Sequence, residues 1–549
     1  MSLPELSPQM DLYGTEQFLA SDFDPADPYR LFSEKVYPLL LAARPTLAQA
    51  YCQSNGRPAT EPVLMLGVSI LQFVYRLPDR QAAEHLKYHL GWKLALHRPL
   101  GLESFDPSGL VYFRQRLIGQ EKAKLAFDAV LEGLRKAGLI KASHKQRLDS
   151  TYVLGLVADL SAAQRLRETL RLALQELAEA PAPPQPPFWA ELWERYVRGK
   201  LDWQLSQDEL KARFQQAGQD MQRVLGWLDQ QYPAGLKLPQ VKLLARVFGE
   251  NFQVEQQADQ AVLTVRVQPP GAVKNPHDPD AQWSRKGKET DWVGYKVQVA
   301  ETVIDQPLQP GEPTRSFVTA MATQPATGSD EAGMQQVREE QADSGLPLAP
   351  TLFVDSAYVS AEVLKQEAEA GRELIGPAQE PANKATGFKS DAFDVNVSAR
   401  AAVCPAGKAS SNCSRLVEQA TGKVSFRFEW GKQCQDCPLK DQCLGKNQDH
   451  RTLNVGEHHE HLQQRRREQK TDAFKQRMHQ RNAIEGTQSE LVRGHGLRQA
   501  RYRGLPKVRL QNYLIGAACN VKRWVAHVGW EIRQGVAAGS GAQTAAVTS

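Results

Sequence analysis

Arg147-Leu-Asp-Ser-Thr-Tyr-Val-Leu154 is rich in β-branched, apolar and aromatic residues, and this run predicts a strand that carries an aspartate. Pro350-Thr-Leu-Phe-Val-Asp355 predicts a second, buried strand that ends at an aspartate. Further strands and helices are predicted between and after these two, at 260–267, 292–300, 316–323, 331–343, 360–370 and 373–376. This mixture of strands and helices indicates an α/β or α+β layer.

The composition is that of a globular protein. The chain has 549 residues, a length typical of roughly three to four domains. Hydrophobic residues make up 41% and charged residues 23%, which excludes wholesale disorder. The longest apolar run, Val63–Val74, is too short for a membrane span, and the N-terminus lacks a signal-peptide pattern. Seven cysteines, an odd number, do not fit a secreted disulfide framework, so we expect a cytoplasmic protein.

Changes in pattern divide the chain into eight segments of a multidomain α+β/α/β fold. Residues 1–30 predict a flexible arm, and the low-complexity residues 535–549 predict a disordered tail. Between them we predict an N-terminal helical domain (31–142), the first part of a core (143–160), a helical insertion (161–250), the continued core (251–380), a cysteine-rich insertion (381–455) and C-terminal helices (456–534). The last segment is predicted to contain one long polar helix at 457–490 and a final helix at 507–526.

Positive charge is concentrated near the C-terminus. The whole chain has a net charge of +5, whereas residues 446–533 contain 18 Lys and Arg against 8 Asp and Glu. Such a segment indicates a polyanionic partner such as nucleic acid, although a solvated helical face of mixed charge has the same composition. The short helices of 31–142 are compatible with a helix-turn-helix DNA reader or with any small helical bundle.

Four cysteines have the spacing of a metal site. Cys434-x2-Cys437-x5-Cys443 places three thiols close together, and Cys404 can return to them across a hairpin. Four thiolates suit tetrahedral Zn²⁺, and a structural ion would stabilise a segment that is poor in apolar residues. Cys413 is the alternative fourth ligand, and a loop of unmetallated thiols is the alternative to zinc.

Other polar side chains receive structural interpretations. Cys52 and Cys519 lie in apolar helical contexts and are predicted to be core residues. The loop Asn275-Pro-His-Asp-Pro-Asp280 offers Asp278 and Asp280 to a metal or to DNA, but an Asx-type turn is the favoured interpretation.

Three carboxylates could provide an active site. Asp149 and Asp355 lie at the ends of predicted strands, and Glu485 lies on a helix with an excess of positive charge. Carboxylate oxygens are the hard ligands that two Mg²⁺ (or Mn²⁺) ions need for phosphodiester chemistry. Taken singly, each acid is better explained as a helix cap or a salt-bridge partner, so the hypothesis depends on the three together.

Basic residues cluster in and after the helix that carries Glu485. Guanidinium groups suit phosphate oxygens, and such contacts hold DNA without reading its sequence. The residues predicted to bind DNA are Arg481, Arg493, Arg498, Arg501, Arg503 and Lys507.

Taken together, these motifs resemble the DDE transposases of bacterial insertion sequences, in particular the insertion sequence 1182 group, which has an N-terminal helical domain and a cysteine-rich insertion. The resemblance extends over about residues 30–530, in family order. Its motifs are Leu148-Asp-Ser-Thr151, Asn275-Pro-His-Asp-Pro-Asp-Ala281, Trp292-Val-Gly-Tyr-Lys296, Val354-Asp-Ser-Ala-Tyr358, the cysteine cluster, Arg481-x3-Glu485-Gly-Thr487 and Gly496-Leu-Arg-Gln-Ala-Arg-Tyr-Arg-Gly504.

The resemblance implies an RNase H-like catalytic core. In it, Asp149 would lie on the first strand, Asp355 on the fourth and Glu485 on a C-terminal helix. Arg481 would grip DNA phosphate beside the site. The chain departs from the family at two positions: it has Met478 where the related pattern has tyrosine, and Gln298 where many relatives have histidine. We assign no chemistry to Gln298.

The function implied by the resemblance is that of a DNA transposase. Such an enzyme binds the terminal inverted repeats of its element, cleaves the ends and joins the freed 3′-hydroxyls to target DNA. A homodimer on double-stranded DNA, associated with the nucleoid, is also implied. The alternatives are a non-catalytic DNA-binding regulator derived from a transposase and a metal-dependent nuclease without strand transfer. A regulator gains nothing from retaining three carboxylates beside phosphates.

Overall fold

The computed structural model describes residues 2–4, 19–52, 55–157, 159–181, 186–199, 206–257, 260–287, 290–381, 387–445 and 448–535. Half of the predicted arm at 1–30, and the predicted tail after residue 535, lie outside these residues. No helix in the described part of the chain is long and apolar enough to cross a membrane.

The N-terminal part is helical and shares one apolar core with the end of the chain. Pro62 starts the most buried of its helices at a position where no backbone donor is lost. The helices are α1 (Pro28–Leu31), α2 (Tyr37–Ala42), α3 (Arg44–Ala48), α4 (Pro62–Val74), α5 (Asp79–Tyr88), α6 (Leu90–Ala95), α7 (Ser108–Gly119) and α8 (Leu125–Lys136), with a π-helical turn at Phe32–Val36.

An insertion follows the first core strand, β1 (Gln146–Leu154). Its elements are α9 (Ala162–Ala178), α10 (Trp189–Leu192), a π-helical turn (Trp193–Arg198), α11 (Gln207–Gln231), a 3₁₀ turn (Pro233–Lys237), α12 (Pro239–Asn251), β2 (Phe252–Gln257) and β3 (Gln260–Val265). Capping boxes at Ser161 and Ser206 begin α9 and α11. The strand predicted at 260–267 was assigned to the core, and this was wrong. It pairs with β2, because Phe252 anchors that hairpin in the insertion's own apolar core.

Six strands form the central sheet. The elements that complete it are β4 (Gln282–Lys286), β5 (Thr290–Thr302), β6 (Val318–Pro325), α13 (Asp330–Asp343), β7 (Thr351–Phe353), a 3₁₀ turn (Ser356–Tyr358), α14 (Ala361–Glu369) and β8 (Glu373–Ile375). The order is β4–β5–β1–β7–β8, and β6 also pairs with β5. β1, β5 and β6 are antiparallel neighbours, whereas β7 and β8 run parallel to β1.

The cysteine-rich segment forms small sheets of its own. Its elements are a 3₁₀ turn (Ser390–Ala392), β9 (Asp394–Asn396), β10 (Ala401–Val403), β11 (Asn412–Val417), β12 (Val424–Glu429), a 3₁₀ turn (Gly431–Cys434), α15 (Lys440–Cys443) and β13 (Thr452–Gly456). β9 pairs with β10, and β11, β12 and β13 form an antiparallel sheet. A small aromatic core that includes Phe393, Phe428 and Trp430 stabilises this unit.

The C-terminal segment contains four helices. They are α16 (His459–Glu468), α17 (Asp472–Met478), α18 (Ile484–His495) and α19 (Leu505–Arg533), with a 3₁₀ turn at His479–Arg481. The prediction of one long helix at 457–490 was therefore wrong. The Thr471 side chain accepts a hydrogen bond from Phe474 N (3.3 Å) and starts a new helix there. Gly496, with φ of 79°, then ends α18 in a left-handed conformation that favours glycine.

Helices cover both faces of the central sheet. Val153 and Val299 lie in the same core as Leu514 of α19, which also contains the N-terminal helices. On the opposite face, Leu148 lies in one core with Met334 of α13. Alternate residues of β1 therefore face different layers, and Asp149 projects to the same side as Val153.

Candidate active site

Strand register brings two of the predicted acids together. The parallel pairing of β1 with β7 aligns Arg147 with Phe353. Asp149 and Asp355 each lie two residues further on, at the same level and on the same side of the sheet. Asp355 also begins the 3₁₀ turn, because its Oδ1 accepts a hydrogen bond from Ala357 N (2.8 Å).

Arg481 lies between these two carboxylates. Its Nη2 atom is 2.8 Å from Asp149 Oδ2 and 3.9 Å from Asp355 Oδ2. The Asp149 side chain is only 14% exposed. Burial raises the pKa of Asp149, and the neighbouring Asp355 adds to the rise, although Arg481 partly offsets both. The site thus concentrates negative charge at a place where positive charge is stabilising.

Glu485 lies in the first turn of α18, which packs beside β1. Gln488 Nε2 donates to the carbonyl oxygen of Ser150 (3.3 Å), the residue after Asp149. Glu485 lies three residues before Gln488 and therefore on the same face of the helix. Its side chain is exposed, and among the described residues its carboxylate makes no hydrogen bond and no ion pair.

The donor set is compatible with hard divalent cations. The expectation that Asp149 ends a strand was wrong, since it is the fourth of the nine residues of β1, and Asp355 lies two residues beyond the end of β7. Carboxylate oxygens such as those of Asp149, Asp355 and Glu485 are the ligand type that Mg²⁺ and Mn²⁺ prefer. The position of the Arg481 guanidinium, between Asp149 and Asp355, marks a place where a cation offsets the repulsion between two carboxylates.

A buried polar chain supports the site from behind. Gln298 lies opposite Ser150 in the β1–β5 pairing and is fully buried. Its Oε1 accepts a hydrogen bond from the Tyr358 hydroxyl, and its Nε2 donates to Asp330 Oδ1 (3.0 Å). The sequence alone assigns no chemistry to Gln298, although a polar residue within an apolar strand is a signal of a buried hydrogen-bond network.

The departure at Met478 has a packing explanation. Met478 and Phe474 pack against a small apolar cluster formed by Val303, Phe353 and Ile375 at the end of the sheet. Met478 therefore helps to hold the segment before Arg481 against the sheet.

The six predicted DNA-binding residues occupy different environments. Arg493, Arg503 and Lys507 are exposed to solvent. Arg498 donates to the carbonyl oxygen of Tyr152 (2.7 Å) and lies 3.6 Å from the centre of its ring. Arg501 donates to the carbonyl oxygen of Leu77 (2.8 Å), and burial lowers its pKa. Arg498 and Arg501 thus already bind backbone carbonyl oxygens, and Arg481 already pairs with Asp149.

Four predicted zinc ligands line one pocket. They are Cys404, Cys434, Cys437 and Cys443. The backbone N–H of Arg451 donates to Cys434 Sγ (3.5 Å), a contact that favours a thiolate. Cys413 lies instead on β11, opposite Phe428.

The remaining structural predictions had mixed outcomes. Cys519 is buried as predicted, but Cys52 is exposed, because it follows α3 in a non-helical segment. Asn275 Oδ1 accepts from His277 N (2.9 Å), which confirms the Asx turn. Asp278 Oδ1 accepts from Gly504 N (3.1 Å), and Asp280 Oδ2 accepts from Leu505 N (2.9 Å), so both acids satisfy backbone donors at the start of α19.

Two family models match parts of the chain. The mixed helix and sheet fold with paired carboxylates is compatible with an enzyme that acts on DNA phosphodiesters. More particularly, residues 403–525 match the family described as transposase DDE domain, and residues 18–116 match the family described as transposase domain (DUF772). These matches support a DDE transposase of an insertion sequence. The chain matches no curated protein and no solved structure.

Proposed function

We propose that this protein is a DNA transposase with an RNase H-like core. The strand arrangement supports the core assignment: three antiparallel strands (β1, β5 and β6) are followed by two strands parallel to β1, which lie on its other side. The observation that carries the proposal is the alignment of Asp149 with Asp355 on adjacent strands, with Arg481 between them.

In this proposal Asp149, Asp355 and Glu485 hold two Mg²⁺ (or Mn²⁺) ions. When bound, such ions activate the attacking oxygen and stabilise the leaving oxygen of a phosphodiester. The protein's own contribution is positioning: the strands hold the two aspartates, and α18 brings Glu485 towards them. Arg481, once its carboxylate partners are neutralised, pairs with a DNA phosphate beside the reacting bond.

The proposed reaction has two chemical steps. Cleavage is a hydrolysis of one phosphodiester bond, and strand transfer is a transesterification that replaces one phosphodiester bond by another. In cleavage, water attacks the phosphorus at the element's end, and the bond to the departing 3′-oxygen breaks. In strand transfer, that 3′-hydroxyl attacks a target phosphodiester and displaces another 3′-oxygen. The number of phosphoester bonds is conserved in transfer, so no external energy source is required.

The rest of the chain binds DNA and organises the complex. We propose that residues 31–142 recognise the inverted repeats, and that Arg493, Arg503 and Lys507 contact phosphates. A homodimer would hold the two element ends together. Structural Zn²⁺ at Cys404, Cys434, Cys437 and Cys443 would stabilise the cysteine-rich unit. The enzyme would act in the cytoplasm on the nucleoid.

The test is cleavage of a labelled duplex that contains the element's end and its flank, in the presence of Mg²⁺. Asp149→Asn, Asp355→Asn and Glu485→Gln are compared with Asp472→Asn, which alters a carboxylate that is 99% exposed. We expect cleavage by the wild type and by the control, and its loss in the three site variants while DNA binding persists.

Other outcomes select the alternatives. Salt-sensitive DNA binding without cleavage by the wild type, in Mg²⁺ or Mn²⁺, would support the regulator. Cleavage without joining to a target plasmid would support the nuclease. Cleavage that survives all three substitutions would place the active site elsewhere.

A further inference from the structure

A second set of metal-binding side chains lies between α18 and α19. It consists of Glu490 and His495 of α18 and Cys519 of α19. One potential ligand atom from each residue lies within 4.8 Å of the other two, and within the described residues this is the set that meets that spacing. His495 and Cys519 are fully buried. None of the three belongs to the proposed catalytic acids or to the cysteine-rich unit.

His495 presents an unused nitrogen to this space. Its Nδ1 lies 3.1 Å from the carbonyl oxygen of Phe73, which can only accept, so Nδ1 carries the proton. In the neutral ring, Nε2 then offers a lone pair. Among the described residues Nε2 has no hydrogen-bond partner, since its distance of 3.9 Å to Glu490 Oε1 is too long for one.

Such an arrangement is typical of a metal-ligating histidine. The nitrogen that does not bind the metal usually donates to a backbone carbonyl or a carboxylate, which fixes the tautomer and the ring orientation. A buried nitrogen without any partner is destabilising, because it has lost its hydrogen bond to water and gained none in the protein. A cation bound at Nε2 would remove that cost.

Glu490, like His495, has one side-chain atom held by hydrogen bonds and another that faces the space between the two residues. Its Oε2 accepts hydrogen bonds from Arg523 Nε (3.0 Å) and Nη2 (2.8 Å), which leaves Oε1 directed towards His495. The charge of Arg523 is shared with Glu301, whose Oε2 lies 3.1 Å from Arg523 Nη1. The two carboxylates therefore compensate this guanidinium, and Glu490 retains an oxygen for a cation.

We propose that Glu490 Oε1, His495 Nε2 and Cys519 Sγ bind one Zn²⁺ ion that joins α18 to α19. An oxygen, a nitrogen and a sulfur donor form a mixed set that suits Zn²⁺, whereas Mg²⁺ and Ca²⁺ select oxygen ligands. Water supplies the fourth ligand from the side of Glu490, whose side chain is 25% exposed.

The ion would stabilise the helix that carries Glu485. His495 is the last residue of α18, and its hydrogen bond to Phe73 connects that helix to α4 of the N-terminal part. Zinc would therefore hold α4, α18 and α19 together. Zinc binding itself does not depend on the proposed transposase activity, and only the effect on Glu485 rests on that proposal.

The test is the zinc content of the purified full-length chain, measured by elemental analysis after dialysis. His495→Gln and Cys519→Ser are compared with Cys52→Ser, which alters an exposed thiol, and with Cys434→Ser/Cys437→Ser, which removes the other predicted site. We expect His495→Gln, Cys519→Ser and the two combined each to lose the same single equivalent of zinc. Cys52→Ser should lose none, and Cys434→Ser/Cys437→Ser should retain that equivalent.

Unchanged zinc content in folded His495→Gln and Cys519→Ser would overturn the proposal. If these variants do not fold, Co²⁺ added to a chain in which Cys404, Cys413, Cys434, Cys437 and Cys443 are all replaced by serine decides. A thiolate-to-cobalt charge-transfer band would support the site, because Cys519 is then the one buried thiol left and the other, Cys52, is exposed, and absence of the band would overturn it. Neither readout requires cleavage of DNA, so failure of the transposase proposal is distinguishable.

Discussion

Asp149 is a carboxylate that the fold places at an energetic cost. It lies on a core strand, it is mostly buried, and burial and Asp355 together raise its pKa despite Arg481. An acid in this position is unfavourable unless it is paired or binds a cation. Arg481 supplies the pairing in the protein alone, so Arg481 and an added cation compete for the same carboxylates.

Replacing Arg481 by methionine should therefore tighten the binding of Mn²⁺. Removal of one charge about 4 Å from the cation is worth between about 1 kcal/mol in water and about 4 kcal/mol at the lower effective dielectric constant of a partly buried site, so the affinity should rise at least several-fold. Calorimetric titration with Mn²⁺ measures it, and Arg493→Met, at an exposed position, is the control. The same variant should cleave DNA more slowly, because its phosphate contact is lost. Weaker Mn²⁺ binding would contradict this role of Arg481.

Tyr358 positions the site without touching the reacting atoms. Burial raises the pKa of Tyr358 well above its ordinary value, so its hydroxyl stays protonated and donates to Gln298. Tyr358→Phe leaves Gln298 Oε1 without that donor and should lower the free energy of unfolding by about 1–3 kcal/mol.

The same substitution should lower the rate of cleavage while DNA affinity stays unchanged. Tyr112→Phe, which alters a tyrosine that is 56% exposed, should change neither quantity. A Tyr358→Phe variant that loses stability but cleaves at the wild-type rate would show that the hydroxyl serves only the fold.

At the scale of the elements, the buried carboxylate of Glu301 connects its own strand, β5, to β1, α18 and α19. Glu301 of β5 is fully buried and accepts hydrogen bonds from Arg147 Nε of β1 (2.5 Å) and from Thr487 Oγ1 of α18 (2.6 Å). Arg523 of α19 completes the set at 3.1 Å. Because α18 carries Glu485, this network sets the distance of that helix from β1.

Glu301→Gln should unfold at much lower urea concentration than the wild type. The substitution leaves Arg147 and Arg523 as buried charges with less compensation, and breaking such a pair costs about 3–5 kcal/mol. Glu369→Gln, at a carboxylate that is 63% exposed, should change the free energy of unfolding by less than about 1 kcal/mol. Equal effects of the two substitutions would contradict the role assigned to Glu301.

Helices and strands that pack on a core were predicted from the sequence more accurately than polar ones. The strand and helix predicted at 292–300 and 331–343 are confirmed as Thr290–Thr302 and Asp330–Asp343, because apolar patterning marks elements that pack on a core. The segment 457–490 is predominantly polar, and its breaks depend on local caps such as Thr471, so periodicity could not locate them.

At the scale of the whole molecule, hydrogen bonds connect the segment 493–501 to the residues that follow α4. Arg76 Nη1 donates to the carbonyl oxygen of Arg493 (2.8 Å), and Arg501 Nη1 donates to that of Leu77 (2.8 Å). Basic residues that looked equivalent in sequence therefore divide into structural and exposed groups. The exposed ones are those for which we propose phosphate contacts.

This division makes the salt dependence of DNA binding a test. Arg503→Ala and Lys507→Ala should each reduce the slope of log K against log salt by about 0.9, the effect of one lost phosphate contact on duplex DNA. Lys211→Ala, at an exposed lysine of the insertion, should leave the slope unchanged. Unaltered slopes in Arg503→Ala and Lys507→Ala would place the DNA elsewhere on the protein.

Local patterns in the chain made Asp149, Asp355 and Glu485 candidates and predicted the cysteine spacing and several elements of the core, because each of these patterns depends on residues that are close in sequence. Tertiary contacts alone determined the rest. The pairing of β1 with β7 aligned the two aspartates, and the buried Gln298 found its partners across the sheet. Glu490, His495 and Cys519 met only because α18 packs on α19. Burial and partnership between distant residues depend on packing, which no local pattern records.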